Sequence, residues 1–252
     1  MRRAPAVSDR AFVLRVSPYG DADAVVHLLT ERAGVIGALA RRARAPSAKR
    51  AIVLEPFHTL TVEVQATSGE LANLKSATIA TARTALLEDP ARLDAAGLAT
   101  RWTRALSPAH VPEPEVFAAL ERLLDDLAGA AAPIVGVTTP TPVESALTAF
   151  GLTLLDVLGY GLDLSGCARC ARARPEGRAA YVSGAGGGVA CEACRRGAAT
   201  QAQLVSGALL DRAMHDARSL LSSTAEEVAP LARAVRDAID MRARAVGARI
   251  AP

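Results

Sequence analysis

The chain has 252 residues, half of them hydrophobic and 3% aromatic. That length can bury more than one core, and an Ala/Leu-rich, aromatic-poor composition weighs against a wholly β protein. No apolar run approaches the roughly 18 residues of a spanning helix. Net charge is only +3, yet it is unevenly spread: residues 1–60 hold ten Lys/Arg against five acids, and residues 165–200 hold six arginines against Glu176 and Glu192. Such clustering points to an acidic partner, nucleic acid first; with only Lys49 and Lys75 as lysines, codon bias accounts for the arginine enrichment but not for its clustering. Met1-Arg2-Arg3-Ala4-Pro5 has no apolar stretch after its arginines, so a cytoplasmic location is expected.

In chain order, residues 11–17 and 24–30 are apolar, β-branched runs split by the turn signal Pro18-Tyr19-Gly20-Asp21. A third run, 34–40, follows Glu31-Arg32-Ala33. A basic loop spans 41–50, residues 57–66 alternate (Leu60, Val62, Val64), and 74–80 closes the unit. Five short strands predict a small β-barrel over residues 1–82.

From Thr84 the spacing is helical. Leu98, Trp102 and Leu106 share a face, Pro108, Pro112 and Pro114 interrupt, and Val116, Phe117, Leu120, Leu123, Leu124 and Leu127 form the next stripe. Residues 129–140 read as a loop. Thr141-Pro142-Val143-Glu144 predicts a helix with Thr at the N-cap and Pro at N1, ending at Gly159/Gly161. Helical spacing resumes with a stripe of Leu204, Val205, Ala208, Leu209, Met214, Ala217 and Leu221, and Pro230 kinks or opens a last helix. The expected class is α+β: the barrel, then a helical domain over 83–252 with an inserted four-cysteine segment at 163–200.

That segment carries the sharpest motif. Cys167-x2-Cys170 and Cys191-x2-Cys194 are the only cysteines, and twenty residues separate the pairs. This is the spacing of a four-thiolate zinc site, closed and structural rather than catalytic. Disulfides would need an oxidising compartment. A redox motif needs one CxxC near a βαβ unit, and a nucleobase deaminase needs an H-x-E upstream. An iron–sulfur cluster uses the same four ligands. Pro175, Gly177 and the run 184–188 predict a turn-rich knuckle with a flexible glycine tip.

No catalytic constellation assembles. His27, His58, His110 and His215 are scattered, and no GxSxG, GxxxxGK[ST] or HExxH occurs. A cationic barrel can instead track a phosphate backbone, and arginine's fork suits phosphate oxygens. The candidate contacts are Arg15, Arg32, Arg41, Arg42, Arg44, Lys49 and Arg50. Phe12 is expected in the core and Tyr19 is the better stacking candidate. The arginines beside the cysteines either offset thiolate charge or touch phosphate.

Together these features resemble the bacterial DNA repair and recombination mediator RecO family. The string Val13-Leu14-Arg15-Val16-Ser17-Pro18-Tyr19-Gly20-Asp21-Ala22-Asp23 is similar to that family's opening strand and turn, and Thr30-Glu31-Arg32-Ala33-Gly34 before the basic loop to its next. Leu158-Gly159-Tyr160-Gly161-Leu162-Asp163-Leu164 resembles the entry to its zinc segment, and Gly187-Gly188 before Cys191 the exit. At the barrel's end, where the family usually carries an acid, this chain has Ser76-Ala77-Thr78. The resemblance implies an OB-fold barrel, binding of single- and double-stranded DNA and annealing of complementary strands. It also implies a structural Zn2+, partnership with RecR and single-stranded-DNA-binding protein, loading of RecA, no enzymatic activity, and a cytoplasmic, nucleoid-associated protein. Two other readings of the residues stand beside it: a zinc-stabilised protein–protein scaffold and an RNA-binding module.

Overall fold

The computed structural model describes residues 5–43, 52–129, 142–196, 201–248 and 250. The chain divides into two compact units, Met1–Thr84 with Ser107–Glu121, and Ala85–Leu106 with Arg122–Pro252. The first unit thus takes in residues 107–121, beyond the boundary expected at 82.

The first unit holds five strands: β1 (Ala6–Tyr19), β2 (Asp23–Thr30), β3 (Gly34–Ala40), β4 (Thr59–Gln65) and β5 (Ala72–Thr81). They close in the order β1-β2-β3-β5-β4. Closure depends on β1, whose first half pairs with β4 (Ala6↔Gln65 to Ala11↔Leu60) and second half with β2 (Ala11↔Thr30 to Tyr19↔Asp23). A register shift between Val13 and Arg15 lets the one strand turn the corner. The β3–β5 pairing is parallel, and β4–β5 antiparallel. Alternate side chains fill the lumen: Ala11, Val13, Val26, Leu28, Ile36, Ala38, Leu60, Val62, Leu74 and Ala77. β1 begins five residues before the expected strand because Ser8, Asp9 and Arg10 interrupt its apolar pattern while still pairing with β4.

The same unit includes residues 107–121, ending in the first part of α2 (Pro114–Ala128). The His110 N–H donates to the Val35 carbonyl at 2.9 Å. Val111 lies so close to Gly34 that a Cβ there would sit 1.9 Å from the Val111 oxygen. Phe12 and Phe117 pack with ring centroids 4.8 Å apart. Around them Glu121 takes Arg10 and Arg83 as cationic partners and accepts the Thr59 hydroxyl at 3.1 Å. The Arg83 guanidinium is buried, donates to Thr59 Oγ1 at 2.9 Å, and lies 5.7 Å from the Phe12 ring centroid.

The second unit packs α1 (Pro90–Leu106), α3 (Val143–Val157), α5 (Gly207–His215) and α6 (Ala225–Ala245). Trp102 is buried in its core beside Gly151, where a Cβ would come 2.5 Å from Val235 Cγ1. The N-cap of α3 is Pro142, which lacks a side-chain cap, so the helix starts one residue later than the sequence predicts; Thr141 lies outside the described residues. Gly159, at φ +77°, closes α3: its N–H bonds the Asp156 carbonyl and the Tyr160 N–H that of Leu155. A full capping box, Thr224 with Glu227, opens α6, and Pro230 sits inside that helix.

Two expectations fail here. The stripe from Leu204 to Leu221 is not one helix: Gln203–Val205 form a strand, β9, Ser206 caps α5 by accepting from the Leu209 N–H, and Leu204 and Met214 are exposed. Nor is the cysteine segment merely turns, since β6 (Asp163–Cys167), β7 (Ala180–Ser183), β8 (Gly188–Ala190) and β9 form a sheet in the order β6-β8-β7-β9, running past residue 200. Strands of three to five residues are too short to show a period of two.

Candidate metal centre and nucleic-acid interface

The sheet brings the two CxxC turns together. Cys167 ends β6, Cys191 follows β8, and the parallel β6–β8 pair places Cys167 opposite Val189. Hydrogen bonds within the first turn, Cys167 N–H to the Arg172 carbonyl and Ala171 N–H to the Cys167 carbonyl, curl it back on itself. Ala171 there takes a positive φ of 56°. The short helix α4 (Glu192–Arg196) carries Cys194.

All four sulfurs lie within 4.8 Å of one another, and Cys170 and Cys191 are 3.7 Å apart. A tetrahedron with Zn–S bonds of about 2.3 Å has S–S edges of about 3.8 Å, which the Cys170–Cys191 pair matches. The electrostatics agree. The Cys191 backbone N–H, with those of Arg169 and Cys170, holds the Cys167 thiol down to about 6. The Cys194 N–H leads in lowering Cys191. The neighbouring sulfurs, Cys191 first, push Cys194 up to about 12. A bound cation would favour the thiolate form of the cysteines it touches. The four cysteines are therefore close enough together to hold a metal ion.

Around this centre the arginines serve different ends. Arg174 is buried: it donates to the Leu164, Pro175 and Arg178 carbonyls and pairs with Asp211 on α5 at 2.5 Å. Asp211 in turn accepts the Gly177 N–H at 2.7 Å. Arg174, together with the Gly177 N–H, holds the Asp211 carboxyl below its ordinary value. This clamp ties the cysteine segment to α5. Arg169 lies near the Cys194 carbonyl at 3.4 Å. Arg195 and Arg196 share the Glu192 carboxylate.

The glycine run forms the tip of the β7–β8 hairpin, as expected, but its two ends are packed. Gly184 is buried, and a Cβ on it would meet the Ala234 carbonyl at 2.1 Å and the Ala238 nitrogen at 2.5 Å. Gly188, at φ +140°, lies as tightly against Asp163. The glycines let β7 and β8 press on α6 and β6.

On the barrel, the β2–β3 register puts Ala40 opposite Ala24, so the turn bearing Arg41 and Arg42 lies at the same end as the β1–β2 turn with Tyr19. Arg41, Arg42 and Tyr19 are exposed there, and Asp23 accepts the Arg42 N–H at 2.7 Å. Arg15 is exposed on β1, in register with His27. Arg32 belongs to the opposite end, where its guanidinium bonds Asp9 at 3.2 Å and the Ser8 carbonyl. The structure thus brings Arg41 and Arg42 to one end, leaves Arg15 exposed at mid-strand, and holds Arg32 at the other end in an ion pair. Arg44, Lys49 and Arg50 lie outside the described residues. Near the end of the barrel, the Ser76 hydroxyl donates to Glu63, its cross-strand partner, at 3.0 Å. The sequence pattern does not reveal the roles of Glu121 and Arg83 or the Arg174–Asp211 pair, because the partners are far apart along the chain.

Residues 1–83 match the family model described as recombination protein O N terminal, and residues 87–244 the model for recombination protein O C terminal. The chain belongs to the recombination protein O family. Among its relatives, the DNA repair protein RecO of Anaeromyxobacter sp. (strain K) is 35% identical over 90% of this chain and 86% of its own. That of Myxococcus xanthus is 34% identical over 79% and 78%, and that of Geobacter sulfurreducens 34% over 77% and 76%. RecO membership places the chain in DNA repair and recombination, in a family of mediators and not of enzymes. No helix among the described residues is long and apolar enough to cross a membrane.

Proposed function

We propose that the chain is a recombination mediator whose barrel is an OB-fold that binds single- and double-stranded DNA. The observation that carries this reading is the match of both halves of the chain to the two RecO models. The closed 1-2-3-5-4 strand order and the cationic turn at one end of the barrel support it. Arg15, Arg41 and Arg42 contact phosphate, joined by Arg44, Lys49 and Arg50; Arg32 contributes least, because Asp9 already holds it. Neutralising phosphate on one surface lets complementary strands approach and anneal. RecR, single-stranded-DNA-binding protein and RecA are the partners that family membership implies, with the work done in the cytoplasm at the nucleoid.

The metal is Zn2+ held by Cys167, Cys170, Cys191 and Cys194, and its role is structural. Four thiolates close the coordination sphere and leave no position for a substrate.

The test is an annealing time course with two complementary oligonucleotides at low and moderate salt, beside a binding titration. Acceleration that fades with salt is expected. Binding without annealing would reduce the protein to a general nucleic-acid module, and neither would turn attention to a protein–protein role.

A further inference from the structure

The sheet of the cysteine segment has two faces. Val182 and Val189, cross-strand partners, are buried, while Tyr181 is in register with Leu204 on β9, which is 55% exposed. Over the Tyr181 ring lies the guanidinium of Arg195, 4.2 Å from its centroid. Glu192 holds the edge of that guanidinium through both carboxylate oxygens, at 3.0 and 3.3 Å. A guanidinium fixed by a ring beneath it and a carboxylate at its edge has one orientation, and its plane is set before anything binds. The Arg195 side chain keeps 35% of its surface exposed.

Arginines cluster around it, beside the two negative charges that four thiolates leave on a Zn2+ ion. Arg196 is 75% exposed and shares Glu192, so the Glu192–Arg195–Arg196 group carries one net positive charge. Arg169 adds another beside Cys194 and has no carboxylate partner among the described residues. An oriented, charged plane next to exposed Leu204, flanked by arginines, matches what an unpaired base and its phosphates need. Bases stack on guanidinium planes as they do on aromatic rings, and flanking arginines take the backbone. A duplex, whose bases already stack on one another, gains only the charge. An acidic peptide would likewise use the charges and ignore the plane.

We propose that this face of the cysteine segment is a second contact surface for single-stranded nucleic acid, with Arg195 as the base-stacking platform, Tyr181 and Glu192 positioning it, and Arg169 and Arg196 on the phosphates. This rests on the nucleic-acid reading above and adds a surface separate from the barrel's.

The test is a fluorescence-anisotropy titration of the full, zinc-loaded chain with a single-stranded oligonucleotide and with its duplex, comparing wild type with Arg195→Lys and Arg195→Ala. Arg195→Lys keeps the charge and removes the plane. It is expected to weaken single-strand binding about fivefold, as expected for the removal of one stacked base, and to leave duplex binding unchanged. Zinc content and melting temperature check the fold. Photo-crosslinking wild type to an iodouracil-substituted strand supplies a readout independent of any variant, with label expected in the peptide holding Tyr181 or Arg195. Wild-type affinity in Arg195→Lys with weaker binding in Arg195→Ala would reduce the surface to charge alone and overturn the stacking role. Crosslinks confined to the barrel would overturn the second surface while sparing the proposed function. A wild type that binds neither strand form would overturn both.

Discussion

Replacing Gly188 by alanine should open the metal cage without touching a cysteine. Gly188 has φ +140°, and a Cβ there would fall 2.1 Å from the Asp163 carbonyl oxygen and 2.6 Å from its nitrogen. Both are backbone atoms of β6, the strand that ends in Cys167, and Gly188 starts the strand that leads to Cys191. The new methyl therefore pushes the two CxxC turns apart. The backbone strain costs about 1–3 kcal/mol, and overpacking against a fixed strand about 1–3 kcal/mol more. If about 3 kcal/mol of this falls on metal binding, Zn2+ affinity drops more than about a hundredfold. The control is one residue away: Gly187 has φ +80° with nothing within 4 Å of its Cβ position, so Gly187→Ala should cost only about 1–2 kcal/mol. Competition with a chromogenic chelator, beside thermal melting, reads both variants. Equal zinc affinity in the two would refute the argument that the β6–β8 contact holds the cage.

Other outcomes follow from single interactions. Trp102 is the only tryptophan and is 2% exposed, so its emission should be blue-shifted and report unfolding of the second unit; Trp102→Ala should destabilise by about 3–5 kcal/mol in a urea titration. The Asp211 carboxyl lies below its ordinary 3.8 because Arg174 and the Gly177 N–H favour its charged form. Its stabilising contribution is therefore present above about pH 4 and lost as pH falls through the lower folded value. The melting-temperature gap between wild type and Asp211→Asn should accordingly be full at neutral pH and close in acid; a gap independent of pH would remove the ion pair from the account.

The barrel is legible because a half-buried strand writes its burial into the sequence: Leu60, Val62 and Val64 alternate with polar residues, and the observed β4 follows them. The four cysteines are legible because metal geometry dictates their spacing. Residues that act across the chain are not. Arg174 reads as one more cation in a basic segment, and only folding shows it buried against Asp211. Glu121 meets Arg10 and Arg83 from far along the sequence, with nothing local to mark the three as partners. The glycines at 184 and 188 look like flexibility in sequence, whereas in the fold they are points where backbone presses on backbone. β9 reads as helix because Leu204 and Val205 fit the spacing of the α5 residues after them. Ser206, a capping residue at the join, is the signal that a helix begins there.

The central claim is that the barrel holds DNA by its phosphates through Arg15, Arg41 and Arg42. The most direct test is the salt dependence of single-strand affinity for wild type and for the triple alanine variant of these residues. Removing one phosphate-binding arginine should flatten the slope of log K against log salt by about 0.7. A triple variant that binds more weakly with a shallower slope is the expected result. One that binds with wild-type affinity and slope would contradict the account and place the interface elsewhere on the chain.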